Sequence, residues 1–234
     1  MERLQSLLLN TDDLDAVLTE LAGLTTEVVG PTSCGITLRY QGNLLTVGSS
    51  DDRARLLDET QYRADDGPCL ESLRTGRIID IPDSAQERRW PGYLPDAVEL
   101  GMRCSLSLPL SVGGETFGAM NVYGFEAPYL FGEPERRQLE LFAARAVGTL
   151  QVVRRINRDS ALLAQMDEAM SSRTVIDQAI GIIMGQQLCT SREAFGLIRR
   201  ESQNTRRRLH DIATDLVAAT GGEAPGPGRS FDTS

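Results

Sequence analysis

The sequence predicts an α+β chain: an antiparallel-sheet domain, then a long connecting helix, then a small three-helix bundle. Three observations predict it. Strand-like and helix-like patterns alternate through the first part and close on a long hairpin pattern. All ten prolines lie at 31–134 or at 225–227, so residues 135–224 hold no proline and few glycines, a long helical permission. Charge divides in the same region: residues 1–150 hold 13 arginines and 23 acids, net −10, and residues 151–234 hold 11 arginines and 10 acids, net +1.

Each element follows from local chemistry. Asp12 or Asp13 can cap a helix that carries Leu14, Val17, Leu18 and Leu21 at helical spacing. "GITLRYQGNLLTVGSS" reads as two strands about a Gln41-Gly42 turn. "GPCLESLRTG" is a short helix between glycines, "RIIDIP" a strand stopped by Pro82, and "YLPDAVELG" a helix ended by Gly101. "MRCSLSLPLSVGGETFGAMNVYG" is a hairpin turning at Gly113-Gly114.

From Pro134 onward, Leu139, Phe142, Ala146, Val153, Ile156, Leu163, Met166 and Met170 recur at steps of three and four, with Thr149 and Ser160 in the gaps. This is an imperfect coiled-coil stripe over 134–170. A helix of that length would run about 55 Å, too long to bury in one such domain, so its later part is expected to pair with a second copy. Three amphipathic patterns follow. Val175, Ile176, Ala179, Ile180, Ile183 and Met184 line the first, with Gly181 inside it. Thr190 and Glu193 stand at capping-box spacing ahead of Ala194, Phe195, Leu197 and Ile198. Leu209, Ile212, Ala213, Leu216 and Val217 line the third. The tail 221–234, rich in Gly, Pro and Ser, is expected to be disordered.

Composition removes several functions. All 24 basic residues of the 234 are arginine. Without lysine there is neither a phosphate-loop lysine nor a Schiff base. The single histidine, His210, reads as a surface or edge residue and allows at most one nucleophile–histidine pair, so an enzyme is not expected. The four cysteines, 34, 69, 104 and 189, form no CxxC pair, and no cofactor or metal is read from the chain. Cys69 reads as a buried small hydrophobe rather than a pigment or oxidant site. Asp65 and Asp66 read as turn and cap, and Trp90 as packing for its loop. No apolar run approaches the ~18 residues of a membrane span. The N-terminus lacks a secretory pattern, so the expected compartment is the cytoplasm.

One stretch resists a purely structural account. Five arginines and one acid, Glu201, fall between 199 and 208, net +4, in a chain of net charge −9. Asn204 or Thr205 is expected to cap the last helix, which places Arg206, Arg207 and Arg208 in its first turn. Cations there oppose the macrodipole by about 0.3–1 kcal/mol each. Arg199 and Arg200 are read as ending the preceding helix, where positive charge is favoured. A polyanion would relieve both the repulsion and the dipole, since arginine forks hold phosphate bidentately. On physics alone DNA and RNA stay open.

Two resemblances bear on this. "ADDGPCLESLRTG", "RIIDIPD", "RWPGY", "GMRCSLSLPL" and "GETFGAMNVYG", in that order, resemble the GAF family of sensor domains over about residues 10–150. The resemblance implies a central antiparallel sheet with helices on one face and a ligand cavity on the other, and an input that is a small molecule, redox state or partner protein. Residues 162–218 resemble the ANTAR domain through Arg173, Ile176, Gln178-Ala179, Gly181, Met184, Ala194-Phe195, Leu197, Ser202-Gln203, Leu209 and Ala213. They depart from it at Ile180, where many relatives are basic. This implies an RNA-binding antitermination regulator that grips paired hairpins in nascent leaders, acting as a homodimer without membrane contact. Arg206, Arg207 and Arg208 are then expected on phosphates, with Arg173, Gln178, Gly181, Ser202 and Asn204 reading bases or backbone. The expected division is 1–150 sensor, 134–170 connecting helix, 162–220 RNA-binding and 221–234 tail. A DNA-binding transcription factor is the alternative, and a protein-interaction module a third reading.

Overall fold

The computed structural model describes residues 14–156 and 161–220. The chain divides into two compact units, Met1–Gln165 and Met166–Ser234. The first holds α1 (Leu14–Val29), β1 (Thr32–Tyr40), β2 (Asn43–Ser49), α2 (Asp52–Ala64), α3 (Pro68–Thr75), β3 (Ile79–Ile81), α4 (Leu94–Glu99), β4 (Cys104–Val112), β5 (Glu115–Gly124) and α5 (Glu133–Ile156). Its five strands form one sheet in the order β2-β1-β5-β4-β3, with every neighbouring pair antiparallel.

The hairpin turns fall where the sequence placed them. Gln41 and Gly42 have φ of 48° and 82°, and Gly113 and Gly114 have 59° and 86°. Two successive positive φ values give the twist that matches the flanking strands. α2 was not expected from the sequence. Asp51 caps it, accepting from Ala54 N at 2.9 Å, and Asp65 ends it in the left-handed region at φ 47°. Its inner face is mixed, with Ala54 and Leu57 beside Asp58, Gln61 and Tyr62, all buried. A stripe half polar gives no hydrophobic periodicity to read.

The sheet has two chemically different faces. Cys34, Ile36 and Leu38 of β1 share one face with Leu106, Leu108 and Leu110 of β4 and Met120 and Val122 of β5, all buried. α1 packs on the β1–β2 part of the sheet and α5 on β4. The opposite face carries Gly35 and Thr37, Ser105 and Ser107, Asn121 and Tyr123. α2 and α3 cover it. Helices therefore lie on both faces, where the resemblance implied one.

In the second unit α6 (Ala161–Gln187) precedes α7 (Ser191–Thr205) and α8 (Leu209–Ala219). The expected stripes are inward: Val175, Ile176, Ala179, Ile180, Ile183, Ala194, Phe195, Ile198, Ala213 and Val217 are buried. Met184, Leu197, Leu209, Ile212 and Leu216 are half-buried. The capping box of α7 is complete, with Glu193 N donating to Thr190 Oγ1 and Thr190 N to Glu193 Oε2. The Asp12/Asp13 cap, Ser160 and the tail 221–234 lie outside the described residues, as do the side chains of Leu14, Val153, Ile156, Leu163 and Met166.

α6 is followed by Leu188, which has φ 52° and is 92% exposed. A leucine there carries the left-handed Cβ penalty and gains almost no burial. Leu188→Gly is expected to stabilise the chain by about 0.5–1 kcal/mol. A thermal melt checks it, and a lowered midpoint counts against it.

Candidate nucleic-acid interface and a buried polar layer

The arginine triplet is not in the first turn of the last helix. α7 continues through Asn204 to Thr205, so neither residue is a cap. Arg206 ends α7 in the left-handed region, φ 54°. Arg208 is the N-cap of α8, without a side-chain cap bond. The three arginines therefore form the loop between α7 and α8, and all are exposed. The dipole penalty anticipated for three cations in a first turn is confined to Arg208, at the positive end of α8, whereas Arg206 sits at the negative end of α7, where a cation is favoured. Arg199 and Arg200 lie within α7 rather than at its end, and Arg199 is buried at 4% exposure.

The loop is held in shape. Ser202 Oγ donates to the Arg207 carbonyl at 2.7 Å. Arg207 Nη2 meets Asp215 Oδ2 on α8 at 2.6 Å, with both side chains about half exposed or more. An exposed pair of this kind contributes only about 0–1 kcal/mol and exchanges easily for another anion. His210 is half-buried at the edge of the bundle: its Nδ1 lies 3.0 Å from Ser172 Oγ and ties the start of α8 to α6. That contact brings Arg173, next to Ser172, to the same end of the bundle as the triplet. Gln178 and Gly181 are exposed further along α6, Gly181 about 12 Å from Arg173 at the helical rise. Asn204 is exposed beside the loop, whereas the Ser202 hydroxyl is engaged with the Arg207 carbonyl. Ile180 is buried at 4%, a packing position as its apolar side chain suggests. Sequence reading missed Asp215, whose one signal was an acid within two turns of the arginines.

A second constellation lies in the first unit, beneath α2. Asp58 Oδ1 accepts from Tyr123 Oη at 2.5 Å and from Asn121 Nδ2 at 2.8 Å, and its Oδ2 accepts from Thr46 Oγ1 at 3.0 Å. Asn121 Nδ2 also donates to Thr37 Oγ1, Tyr62 Oη lies between Thr37 and Thr46, and Gln61 Nε2 donates to Tyr123 Oη. Burial pushes Asp58 up to about 7, against the lowering pull of those hydrogen bonds. Glycine at 35 is what admits the carboxyl: a Cβ there would stand 2.2 Å from Asp58 Oδ2. Cys69 is fully buried and donates to Thr37 Oγ1 at 3.6 Å; burial pushes its thiol up to about 12, so it is held protonated and un-nucleophilic. Asp65 caps the end of α2 as read, whereas Asp66 caps no helix and accepts from Gly92 N at 3.1 Å. Trp90 packs among Leu57, Ile81, Tyr93 and Tyr123. Among the described residues no helix is long and apolar enough to cross a membrane.

Comparison with known proteins assigns both units. The GAF domain model matches residues 11–151 and the ANTAR domain model residues 164–217. No curated protein matches the chain. Solved structures similar to the first unit include the GAF domain/HD domain protein from Geobacter sulfurreducens, at 19% identity, 65% of this chain, 98% of that one and TM-score 0.50. The GAF domain of the cyanobacteriochrome TePixJ gives 18%, 62%, 94% and 0.51. The GAF domain of an Acinetobacter phosphoenolpyruvate-protein phosphotransferase gives 15%, 68%, 94% and 0.51. At these identities the likeness establishes the fold. GAF and ANTAR domains are regulatory modules. With a five-stranded sheet domain whose family model matches more than half of the chain, and an arginine-looped helical domain after it in sequence, the chain belongs to the GAF family and has the architecture of a GAF–ANTAR regulator, a sensor fused to an RNA-binding antitermination domain.

Proposed function

We propose that this regulator grips paired stem-loops in nascent mRNA leaders through the α7–α8 loop, so that the competing terminator stem does not form. Arg206, Arg207 and Arg208 hold phosphates. Arg173, at the same end of the bundle, extends that surface, and Asn204, Gln178 and Gly181 meet bases or backbone. Ser202 acts indirectly, fixing the loop through the Arg207 carbonyl. Recognition of loops by splayed bases and phosphate contacts is the general mode for structured RNA. The working division is 1–150 for the sensor, 134–170 for the connecting helix, 162–220 for the RNA-binding domain and 221–234 for the tail. The connecting helix pairs two copies, one bundle for each hairpin, in the cytoplasm where transcripts are made. Leu141, 60% exposed on α5, with exposed Ala144 and Gly148 on the same face, supports an apolar surface open to a second copy. A small-molecule or protein signal at the sensor sets the binding.

The observation that carries this reading is the conformation of Arg206. Its backbone is left-handed, φ 54°, and its side chain is exposed. Glycine would be more stable there by about 0.5–1 kcal/mol. An arginine kept at that expense fits a role outside the fold. Arg206→Gly is therefore expected to raise the thermal midpoint while weakening hairpin binding about five- to tenfold and reducing the salt slope by about 0.7–0.9. Unchanged affinity, or equal competition by duplex DNA, would overturn the proposal.

A further inference from the structure

The one histidine of the chain stands at the base of the arginine loop. His210 is the second residue of α8, and Arg208 is the N-cap of that helix. The ring is half-buried between two hydroxyls: Nδ1 lies 3.0 Å from Ser172 Oγ on α6, and Nε2 lies 3.5 Å from Thr214 Oγ1, one turn along α8. Thr214 donates its only hydroxyl hydrogen to the His210 carbonyl at 2.9 Å. Toward the ring it can therefore only accept, which assigns the hydrogen of the neutral ring to Nε2. Nδ1 is then the acceptor, and Ser172 Oγ donates to it.

This arrangement admits a second proton without breaking. Once Nδ1 is protonated it donates, and the Ser172 hydroxyl turns to accept on a lone pair, while Nε2 keeps its contact with Thr214. Both forms of the ring therefore hold α8 to α6, and the surrounding charge decides between them. Among the described residues that charge comes from Arg173 and Asp177 on α6, Arg200 and Glu201 on α7, Arg206, Arg207 and Arg208 in the loop, and Asp211 and Asp215 on α8. Arg207 engages Asp215 and lies within electrostatic reach of Asp211 and Glu201, so acids and arginines answer one another there. A phosphate strand seated on the loop changes that balance. It brings negative charge toward the ring and no positive charge with it, which favours the imidazolium.

We propose that hairpin RNA draws one proton from solvent onto His210 Nδ1 as it binds, so that His210 is a positioning residue whose charge ties the strength of the grip to pH. This concerns the regulation of the interface proposed above and rests on that reading. The RNA-bound state holds more protons than the unbound one, so affinity rises as pH falls through the range where histidine changes charge and declines above it. The Ser172 clasp survives in both forms, so the loop keeps its place relative to α6 and Arg173 while the charge beneath it changes.

The experiment titrates the full chain with a tandem stem-loop RNA between about pH 5.5 and 8.5 at fixed salt, for the parent and for His210→Asn. The asparagine oxygen can still accept from Ser172, but the side chain takes up no proton. Parent affinity is expected to fall about fivefold between about pH 6 and 8, and the variant is expected to lose that fall. Titration of the RNA itself, or of Asp58 in the other unit, is common to both proteins and cancels in their ratio. The parent also carries its own reporter. With one histidine in the chain, the ring Cε1 hydrogen gives a single NMR signal, expected to titrate at higher pH with the RNA bound than without it. This second measurement decides the matter even where the variant folds poorly. A variant profile parallel to the parent's, or a ring signal that titrates alike in both states, overturns the inference and leaves the hairpin reading standing. Absence of RNA binding at every pH overturns both.

Discussion

Replacing Arg206, Arg207 and Arg208 together by alanine is expected to weaken hairpin RNA binding by about 100-fold at moderate salt. Charge-assisted contacts to phosphate contribute about 1 kcal/mol each once water is displaced, and three such losses give roughly two orders of magnitude. The salt slope is expected to fall by about 2 to 2.7, since each arginine withdrawn leaves one phosphate with its counterions. The fold should tolerate the change. All three side chains are exposed, and the one ion pair lost, Arg207 with Asp215, contributes at most about 1 kcal/mol. The measurement is a hairpin titration at several salt concentrations. Lysine at all three positions is the discriminating control: it keeps the charge and therefore most of the slope, but loses the bidentate fork. An affinity and slope untouched by the alanine variant would remove the loop from the interface.

Asp58→Asn is expected to flatten a pH dependence that the parent shows between about pH 4 and 7. Burial holds the Asp58 carboxyl at about 7 in the folded chain, against about 3.9 in an unfolded one. The folded state keeps its proton while the unfolded state gives it up, so the stabilisation is complete below about pH 4 and is lost as pH rises through 7. The gap amounts to roughly 4 kcal/mol. Asparagine mimics the protonated carboxyl: its oxygen can still accept from Tyr123 and Asn121, and its amide can donate to Thr46. Denaturant melts of the two proteins should therefore diverge with increasing pH, the variant becoming the more stable relative to the parent. Asp58→Ala behaves differently. It leaves the Tyr123 hydroxyl without its acceptor at every pH and is expected to lower stability by about 2–4 kcal/mol throughout. Parallel curves for parent and Asp58→Asn would show that the carboxyl is ionised in the fold.

Legibility of the chain followed the kind of signal each element carries. The hairpins were readable because Gln41-Gly42 and Gly113-Gly114 occupy positive φ that few residues tolerate. The helical unit was readable because Ile176, Ala179, Ile180 and Ile183 repeat at the helical period and are buried in the fold. The capping box at Thr190 and Glu193 is local chemistry and formed as written. α2 was illegible because its buried face includes Asp58 and Gln61, which a hydrophobic pattern counts as surface. In the same way the alternation of serine and leucine in "CSLSLPL" gives the strand but says nothing about whether the serines meet water. In the fold both are sealed beneath helices.

The arginine loop marks the same boundary from the other side. The crowding of charge at 206–208 and its demand for an anion belong to the sequence, because charge needs no structure to repel. Which backbone carries it did not. One residue of α7 more or less moves a side chain by about 100° around the axis, and only the packing of α7 and α8 fixed where the helix stops. The sequence by itself determined the two units, most of their strand and helix periods, the α7 capping box and their charge, since those are properties of neighbours along the chain. The tertiary structure alone decided that Arg206 turns left-handed at a helix end, that Asp215 answers Arg207, and that the Asp58 carboxyl meets Tyr123, Asn121 and Thr46 in a buried interior. Those depend on groups brought together from distant parts of the chain, where burial, not sequence distance, sets the energies.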